Sequence, residues 1–245
     1  KMNLVDGHCH LASLNQIMPV ESLLKEANEA GITNFLSSAL SKEEIAFHRL
    51  HSLPGVIFSA GIHPHYAECD LELKDIEELC AEKCIWAVGE IGLDRYGKDI
   101  ERQKQLLSQQ LELANQYQLP VVLHIVGYQQ QAYELLKLYP LVYLVHGYAG
   151  SLEGYRILSC LNSYFTISER ILRPDKYNLL QEMVKDKRYL LETDITKDYV
   201  LPGEHNPLLR LVEVFEQVQK ICGVDAEEIL TTQYENFIAL TQGKL

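Results

Sequence analysis

Val121-Val122-Leu123-His124, an amphipathic stretch over Gln129–Leu138, and then Val142-Tyr143-Leu144-Val145-His146 carry the plan of the whole chain in one segment. A β-branched run, a helix-period pattern and a second apolar run make one strand–helix–strand unit. Both strands are apolar along their length, as strands covered on both faces are, and each closes on a histidine. The same unit recurs about eight times along the chain. The strand candidates are Asn3–Asp6, Thr33–Ser37, Val56–Ala60, Trp86–Val88, Val121–His124, Val142–Val145, Tyr164–Ile167 and Tyr189–Leu191. Helical patterns are clearest over Val20–Ala30, Ile100–Tyr117, Gln129–Leu138, Asn206–Ile221 and Ala226–Leu240. Asp225 is the expected N-cap of the last of these, with Glu228 completing a capping box. No linker, low-complexity tract or composition shift interrupts the series. Eight units in one domain, residues 1–245, predict a (β/α)8 TIM-like barrel with an extra C-terminal helix rather than a doubly wound sheet.

Composition narrows the class. The 245 residues are 47% hydrophobic and 23% charged, which is ordinary for a globular chain. No apolar stretch approaches the ~18–20 residues of a membrane span, so no membrane partner is expected. Asn3-Leu4-Val5-Asp6 enters the first strand with no signal-peptide core ahead of it. The six cysteines, at 9, 69, 80, 84, 160 and 222, include no CxxC pair and read as reduced thiols, which predicts a cytoplasmic setting. Cys80 and Cys84 are spaced to share one helix face. A net charge of −12 excludes a broad basic surface for duplex nucleic acid. A locally positive site is still open to it, since bound metal ions can supply the charge.

The polar residues are not scattered. Strand one ends in Asp6-Gly7-His8-Cys9-His10 and strand three in Gly61-Ile62-His63-Pro64-His65. Strand four leads into Gly89-Glu90-Ile91-Gly92-Leu93-Asp94, strands five and six end at His124 and His146, and strand eight runs into Glu192-Thr193-Asp194. Six of the nine histidines thus sit at C-terminal strand ends, which meet on the face where barrel enzymes do their chemistry. His48, His51 and His205 fall elsewhere. His8 and His10, two apart in extended chain, point to one side and can share a metal, while Cys9 points into packing. Glu90 follows a buried-looking strand and needs a partner; its two oxygens suit it to bridge two cations. His124 and His146 on neighbouring strands face the same place. Asp194 is expected both to ligate a metal and to take a proton from the attacking water. Glu192 shares its side and is read as anchoring the site from behind. His63 and His65, stiffened by Pro64, are expected to reach substrate, and His63 to assist the leaving group.

These motifs, in this order, resemble the TatD-related deoxyribonucleases, from about residue 3 to Asn236-Phe237 in the last helix. The GEIGLD and ETD segments carry most of the likeness; HxH alone carries little. The resemblance implies a somewhat distorted TIM barrel of the amidohydrolase superfamily, two divalent metal ions and hydrolysis of DNA phosphodiesters. It places His8, His10, Glu90, His124, His146 and Asp194 at the metal positions. Tyr148 of His146-Gly147-Tyr148-Ala149-Gly150 is expected at the substrate, and Asp6 beside Glu192 behind the ligands. Two positions depart from the family pattern: Val126 and Glu204 stand where it carries arginines. Valine and glutamate cannot clamp a phosphate. Arg95, Arg170 and Arg173 read as surface arginines.

The expected enzyme is a metal-dependent hydrolase, a phosphodiesterase or deoxyribonuclease of 3′–5′ exonuclease type. A water shared by two ions (Zn2+, Mn2+ or Mg2+) would be its nucleophile and single-stranded or short DNA ends its substrate. The alternative is an amidohydrolase or esterase for a small molecule or an aminoacyl ester. A third reading, a degenerate subunit of a larger complex, fits poorly with six ligands in place.

Overall fold

The computed structural model describes residues 2–242. Eight strands alternate with helices: β1 Leu4–Cys9, α1 Leu11–Leu14, α2 Val20–Glu29, β2 Ile32–Ala39, α3 Lys42–Leu50, β3 Val56–Ala60, α4 Leu73–Ala81, β4 Val88–Asp94, α5 Ile100–Tyr117, β5 Val121–Val126, α6 Gln129–Leu136, β6 Tyr143–Val145, α7 Leu152–Leu158, β7 Ser163–Ile167, α8 Tyr177–Asp186, β8 Tyr189–Leu191, α9 Arg210–Cys222 and α10 Ala226–Thr241. All strand pairs are parallel, and β8 returns to β1, closing the barrel. The closure is uneven. The β1–β8 seam rests on the pair Asp6–Leu191 and the β3–β4 seam on Ala60–Val88, whereas β2 and β3 pair over five residues. That is the distortion the family resemblance implies.

Two apolar cores follow from the pleat. Residues facing outward pack against the helices, among them Leu4, Phe35, Leu123, Tyr143 and Phe165. Residues facing the lower barrel interior form a second cluster of Val5, Leu36, Trp86, Val122, Leu144, Tyr164 and Leu190. Phe237 and Leu240 of α10 belong to that second cluster, so the extra helix stoppers the barrel floor. Gln233 fixes it there: its Oε1 accepts the Val5 amide at 3.0 Å and its Nε2 donates to the Asn3 carbonyl at 2.8 Å. With the floor apolar, the charged side chains of the barrel gather at the opposite mouth.

Three local expectations are corrected. The strand placed at Trp86–Val88 lies instead at Val88–Asp94, because Trp86 and Ala87 are floor packing and the GEIGLD residues themselves form the ladder. Asp225 precedes α10 in extended conformation, but its carboxylate caps nothing, and Glu228 turns to Lys187 at 3.4 Å instead of closing a capping box. Helix α4 stops at Ala81, so Cys84 does not share a helix face with the buried Cys80.

His48, which sequence reading sets apart from the strand ends, is part of the packing behind the site. Its ring stacks on Phe58 at 4.7 Å, and the Ser37 hydroxyl lies 3.0 Å from its Nε2 while accepting the Leu11 amide. Burial drives its pKa down from 6.5 to about 4. The unfolded ring gains a proton near pH 6.5, while the folded ring resists until about 4. The stability held by the neutral ring is therefore present above pH 6.5 and drains away as pH falls through that window. The upper bound is ~3 kcal/mol at ~1.4 kcal/mol per unit. We expect His48→Gln to flatten the loss of stability between pH 7 and pH 5, measured as denaturant midpoints at both values; an unchanged pH slope would assign the loss to other groups.

Candidate metal centre

At the mouth, side chains from β1, β4, β5, β6 and the turn after β8 converge on Glu90. In a strand, residues two and four apart share a face, so Glu90 and Asp94 both look into the barrel. Between them Gly92 lets β4 press against β5: a Cβ there would lie 1.8 Å from the His124 carbonyl oxygen, and its φ of +156° suits glycine alone. Glu90 Oε2 lies 3.0 Å from His8 Nε2 and 3.1 Å from His10 Nε2. Its Oε1 lies 2.9 Å from His146 Nε2, 3.6 Å from His124 Nδ1 and 3.5 Å from His63 Nε2. Asp194 Oδ1 completes the first group, 3.2 Å from His10 Nε2 and 3.6 Å from His8 Nε2. Each oxygen of Glu90 thus serves a different set of histidines. The two oxygens are within reach of separate donor groups.

What lies behind the rings decides what they can hold. His10 Nδ1 is 3.3 Å from the Ser38 carbonyl, which only accepts, so the proton is on Nδ1 and Nε2 offers a lone pair. His124 Nε2 is 2.8 Å from Asp94 Oδ2, which leaves the Nδ1 lone pair aimed at Glu90. His146 Nδ1 faces Glu192 Oε1 at 3.4 Å, and its Nε2 faces Glu90. Carboxylate-backed imidazoles of this kind are the usual setting of histidine ligands. Lone pairs therefore meet carboxylate oxygens at hydrogen-bond distance, and only a proton or a cation between them relieves the repulsion. The donor set of imidazole nitrogens and carboxylate oxygens fits divalent first-row metals. Several overlapping groups there could take an ion, among them His8–His10–Asp194, His8–Glu90–His146 and His63–Glu90–His124.

Protonation in the cluster is set by the same contacts. Burial pushes the Glu90 and Asp194 carboxyls up, but the surrounding imidazoles outweigh it and hold both well below the ordinary range. Burial likewise opposes protons on His10 and His146, yet Asp194, Glu90 and Glu192 drive both rings well above the usual imidazole value. His8 stays low, through burial and the His146 charge.

The supporting residues sort themselves by contact. Asp6 ties the ends of β1 and β8 together: it accepts the amides of His8 and Thr193 at 3.2 and 3.1 Å and the Thr193 hydroxyl at 2.6 Å. Burial lifts its pKa to about 7. Glu192 accepts the Thr166 hydroxyl in a very short bond, and Thr166 Oγ accepts the Gly147 amide at 2.7 Å. Its other oxygen and His146 Nδ1 are both buried and without a hydrogen-bond partner. Asp194 sits at φ +55°, a strained value for a residue with a side chain, held by its amide's bond to the His8 carbonyl at 2.9 Å.

Among the residues expected at the substrate, His63 faces the cavity and accepts the His65 amide on Nδ1 at 3.0 Å, so its neutral ring carries the proton on Nε2. Burial depresses its pKa, which keeps that ring neutral. His65 turns aside to Asp94 Oδ2 at 2.8 Å. Tyr148 is a correction: its ring is 1% exposed, its hydroxyl donates to the Ser151 carbonyl at 2.6 Å, and it braces the loop after β6 instead of facing the cavity. Two groups escaped sequence reading. Asp94 holds both His65 and His124, a role visible in its four-residue spacing from Glu90. Arg170, read as a surface arginine, lines the cavity and donates to Asp194 Oδ2 at 2.9 Å; nothing local marks it. Glu204 pairs with Arg210, at 2.8 Å from its Nε, and Val126 is part of the cavity wall.

A closed parallel barrel with this cluster at its mouth defines a metal-dependent hydrolase. A sequence model described as TatD related DNase matches residues 5–242, and the chain belongs to that family. The uncharacterized metal-dependent hydrolase YjjV of Escherichia coli K12 is 33% identical over 159 residues, 61% of this chain and 61% of YjjV. The sequence alignment thus spans less than two thirds of that relative's length. An uncharacterized metal-dependent hydrolase of Methanocaldococcus jannaschii is 23% identical over 95% of this chain and 94% of its own. The crystal structure of YjjV superposes with a TM-score of 0.82 at 28% identity over 97% of both chains. A TatD-family hydrolase of Entamoeba histolytica, 15% identical over 99% of both, shares the fold with a TM-score of 0.81. Among the described residues no helix is long and apolar enough to cross a membrane.

If Glu192 fixes the His146 ring from behind, Glu192→Gln should weaken metal binding by about 10- to 100-fold. Competition against a chromogenic chelator measures this directly. Wild-type affinity in the variant would leave Glu192 no part in the centre.

Proposed function

We propose that this chain is a phosphodiesterase that trims single-stranded or short DNA ends in a 3′–5′ sense, using two divalent ions (Zn2+, Mn2+ or Mg2+). The observation that carries the reading is the split of Glu90, one oxygen toward His8 and His10, which Asp194 also meets, and the other toward His124 and His146. When bound, the ions acidify a water and offset charge on the phosphoryl oxygens. The chain's own residues do the rest. His8, His10 and Asp194 would hold the first ion, His124 and His146 the second, with Glu90 between them. Asp194 accepts the proton of the attacking water, and Arg170 steadies its carboxylate through Oδ2. Arg170 is half-exposed, so its remaining N–H groups are free to meet a phosphoryl oxygen. His63, neutral with its proton on Nε2, keeps that proton and donates a hydrogen bond to the departing oxygen, which takes its proton from water.

Substrate size follows from shape and charge. The site is a cavity of about 1160 Å³ lined by Arg95, Arg170, Lys176 and Lys197 together with Glu44, Glu68 and Asp198. Such a mixed lining on a chain of net charge −12 suits an end that enters, not a long duplex lying across. We read residues 1–245 as one working unit and, from the free thiols, as a cytoplasmic one.

The second reading is hydrolysis of an aminoacyl or small-molecule ester, favoured by the apolar residues Leu40, Ile125, Val126 and Ala149 in the cavity lining. A panel of single-stranded oligonucleotide, circular duplex, a simple phosphodiester and an aminoacyl ester, each with Mg2+, Mn2+ and Zn2+, separates the two. We expect the oligonucleotide to shorten from one end and the circle to persist; ester cleavage with untouched DNA would favour the second reading. Asp194→Asn should lower kcat by about 10²-fold or more. Full activity in the metal-loaded Asp194→Asn variant would remove Asp194 as the base.

A further inference from the structure

Next to the metal centre lies a pair of side chains that the catalytic reading leaves without a task. Arg95 and Tyr96 follow β4 directly, so they stand on the rim of the mouth. The Arg95 amide donates to the Val126 carbonyl at 2.9 Å, which extends the β4–β5 ladder by one step and sets Arg95 beside Val126. Its stem lies against Gly127, where a Cβ would come within 2.9 Å of Arg95 Cδ and φ is +68°. The guanidinium lies over the Tyr96 ring, 4.9 Å from its centroid, and donates to the Tyr96 hydroxyl at 2.9 Å. Arg95 therefore faces the cavity held by a phenol and a glycine notch, whereas Arg170 is tied to Asp194. A cation presented in this way retains its attraction for an incoming anion. Tyr96 is 71% exposed, a large ring left open at the entrance of a polar site. Its amide donates to Asp94 Oδ1 at 2.9 Å, and Oδ2 of the same carboxylate meets His124, so the pair is fixed relative to the centre.

We propose that Arg95 and Tyr96 form a subsite for the nucleotide adjacent to the scissile phosphate, Arg95 taking its phosphate and Tyr96 stacking its base. This rests on the phosphodiesterase reading and adds to it a substrate that must carry a second phosphate and a base. Phosphate capture by a guanidinium and stacking of any base on an aromatic ring are the two elements of sequence-tolerant single-strand binding. Because both residues lie outside the ion cluster, they act on substrate binding and not on the chemical step.

The test compares wild type with Arg95→Gln, Tyr96→Ala and Tyr96→Phe. Kinetics are read on a single-stranded thymidine oligonucleotide and on bis(p-nitrophenyl) phosphate, which has neither a second phosphate nor a nucleobase. Binding of the labelled oligonucleotide in EDTA is read by fluorescence anisotropy, independent of turnover. We expect Arg95→Gln and Tyr96→Ala to raise the oligonucleotide KM and Kd about tenfold, within the range of one lost stacking or phosphate contact. Tyr96→Phe, which keeps the ring, should stay near wild type, and all variants should cleave the small diester within about twofold of it. Unchanged oligonucleotide KM and Kd in Arg95→Gln and Tyr96→Ala would overturn the subsite, as would equal losses on both substrates. An oligonucleotide bound through Arg95 and Tyr96 but never cut would sink the phosphodiesterase reading and leave the subsite standing.

Discussion

Lone pairs pointed at carboxylate oxygens in a buried place are the constraint on which the rest of this structure depends. His10 and His124 have their far nitrogens committed, to a carbonyl and to Asp94, and His146 Nδ1 lies 3.4 Å from Glu192, so the near nitrogens of these rings face Glu90 or Asp194 as acceptors. Left without positive charge, such a set repels itself at low dielectric, where the cost is several kcal/mol per buried ion. Protons can fill the gap, which is why the carboxyls are held low and His10 and His146 high. Divalent ions fill it better, since each brings two charges and satisfies several donors at once.

The scaffold serves this tension by keeping apolar and polar chemistry apart. Trp86, Phe237 and their neighbours fill the lower barrel, and Gln233 pins the stopper helix to β1. The cavity for water and substrate lies at the opposite mouth. Short strands such as β6 and β8, three residues each, end just where His146 and the Glu192–Asp194 segment begin, so the ligands follow directly on the ladder. The Asp6 carboxylate sews the weak β1–β8 seam at the level of the centre, where the ladder alone offers a single pair.

Most of this is legible in the sequence, because ligands at strand ends announce themselves. His124 and His146 each terminate a run of β-branched and apolar residues, and His8 and His10 carry the period of extended chain. The GEIGLD segment reads as a loop beyond its strand, since its polar and glycine-rich composition hides a ladder that faces a polar interior. Asp94 can be found by counting four from Glu90. Arg170 cannot: it reaches Asp194 from a different turn, and only the closure of the barrel brings the two together. Tyr148 misleads for the opposite reason, because a tyrosine beside a ligand histidine looks available until its hydroxyl is seen bonded to Ser151.

The most direct test of the centre is calorimetric titration of the metal-stripped protein with Zn2+ or Mn2+ near neutral pH, repeated in buffers of different ionisation enthalpy. Two ions should bind with saturation, and protons should leave as they enter, because the ions displace those now shared between imidazole and carboxylate. Saturable binding with no buffer dependence would mean that the cluster was not proton-filled, and no binding at all would mean that these side chains do not form a metal centre.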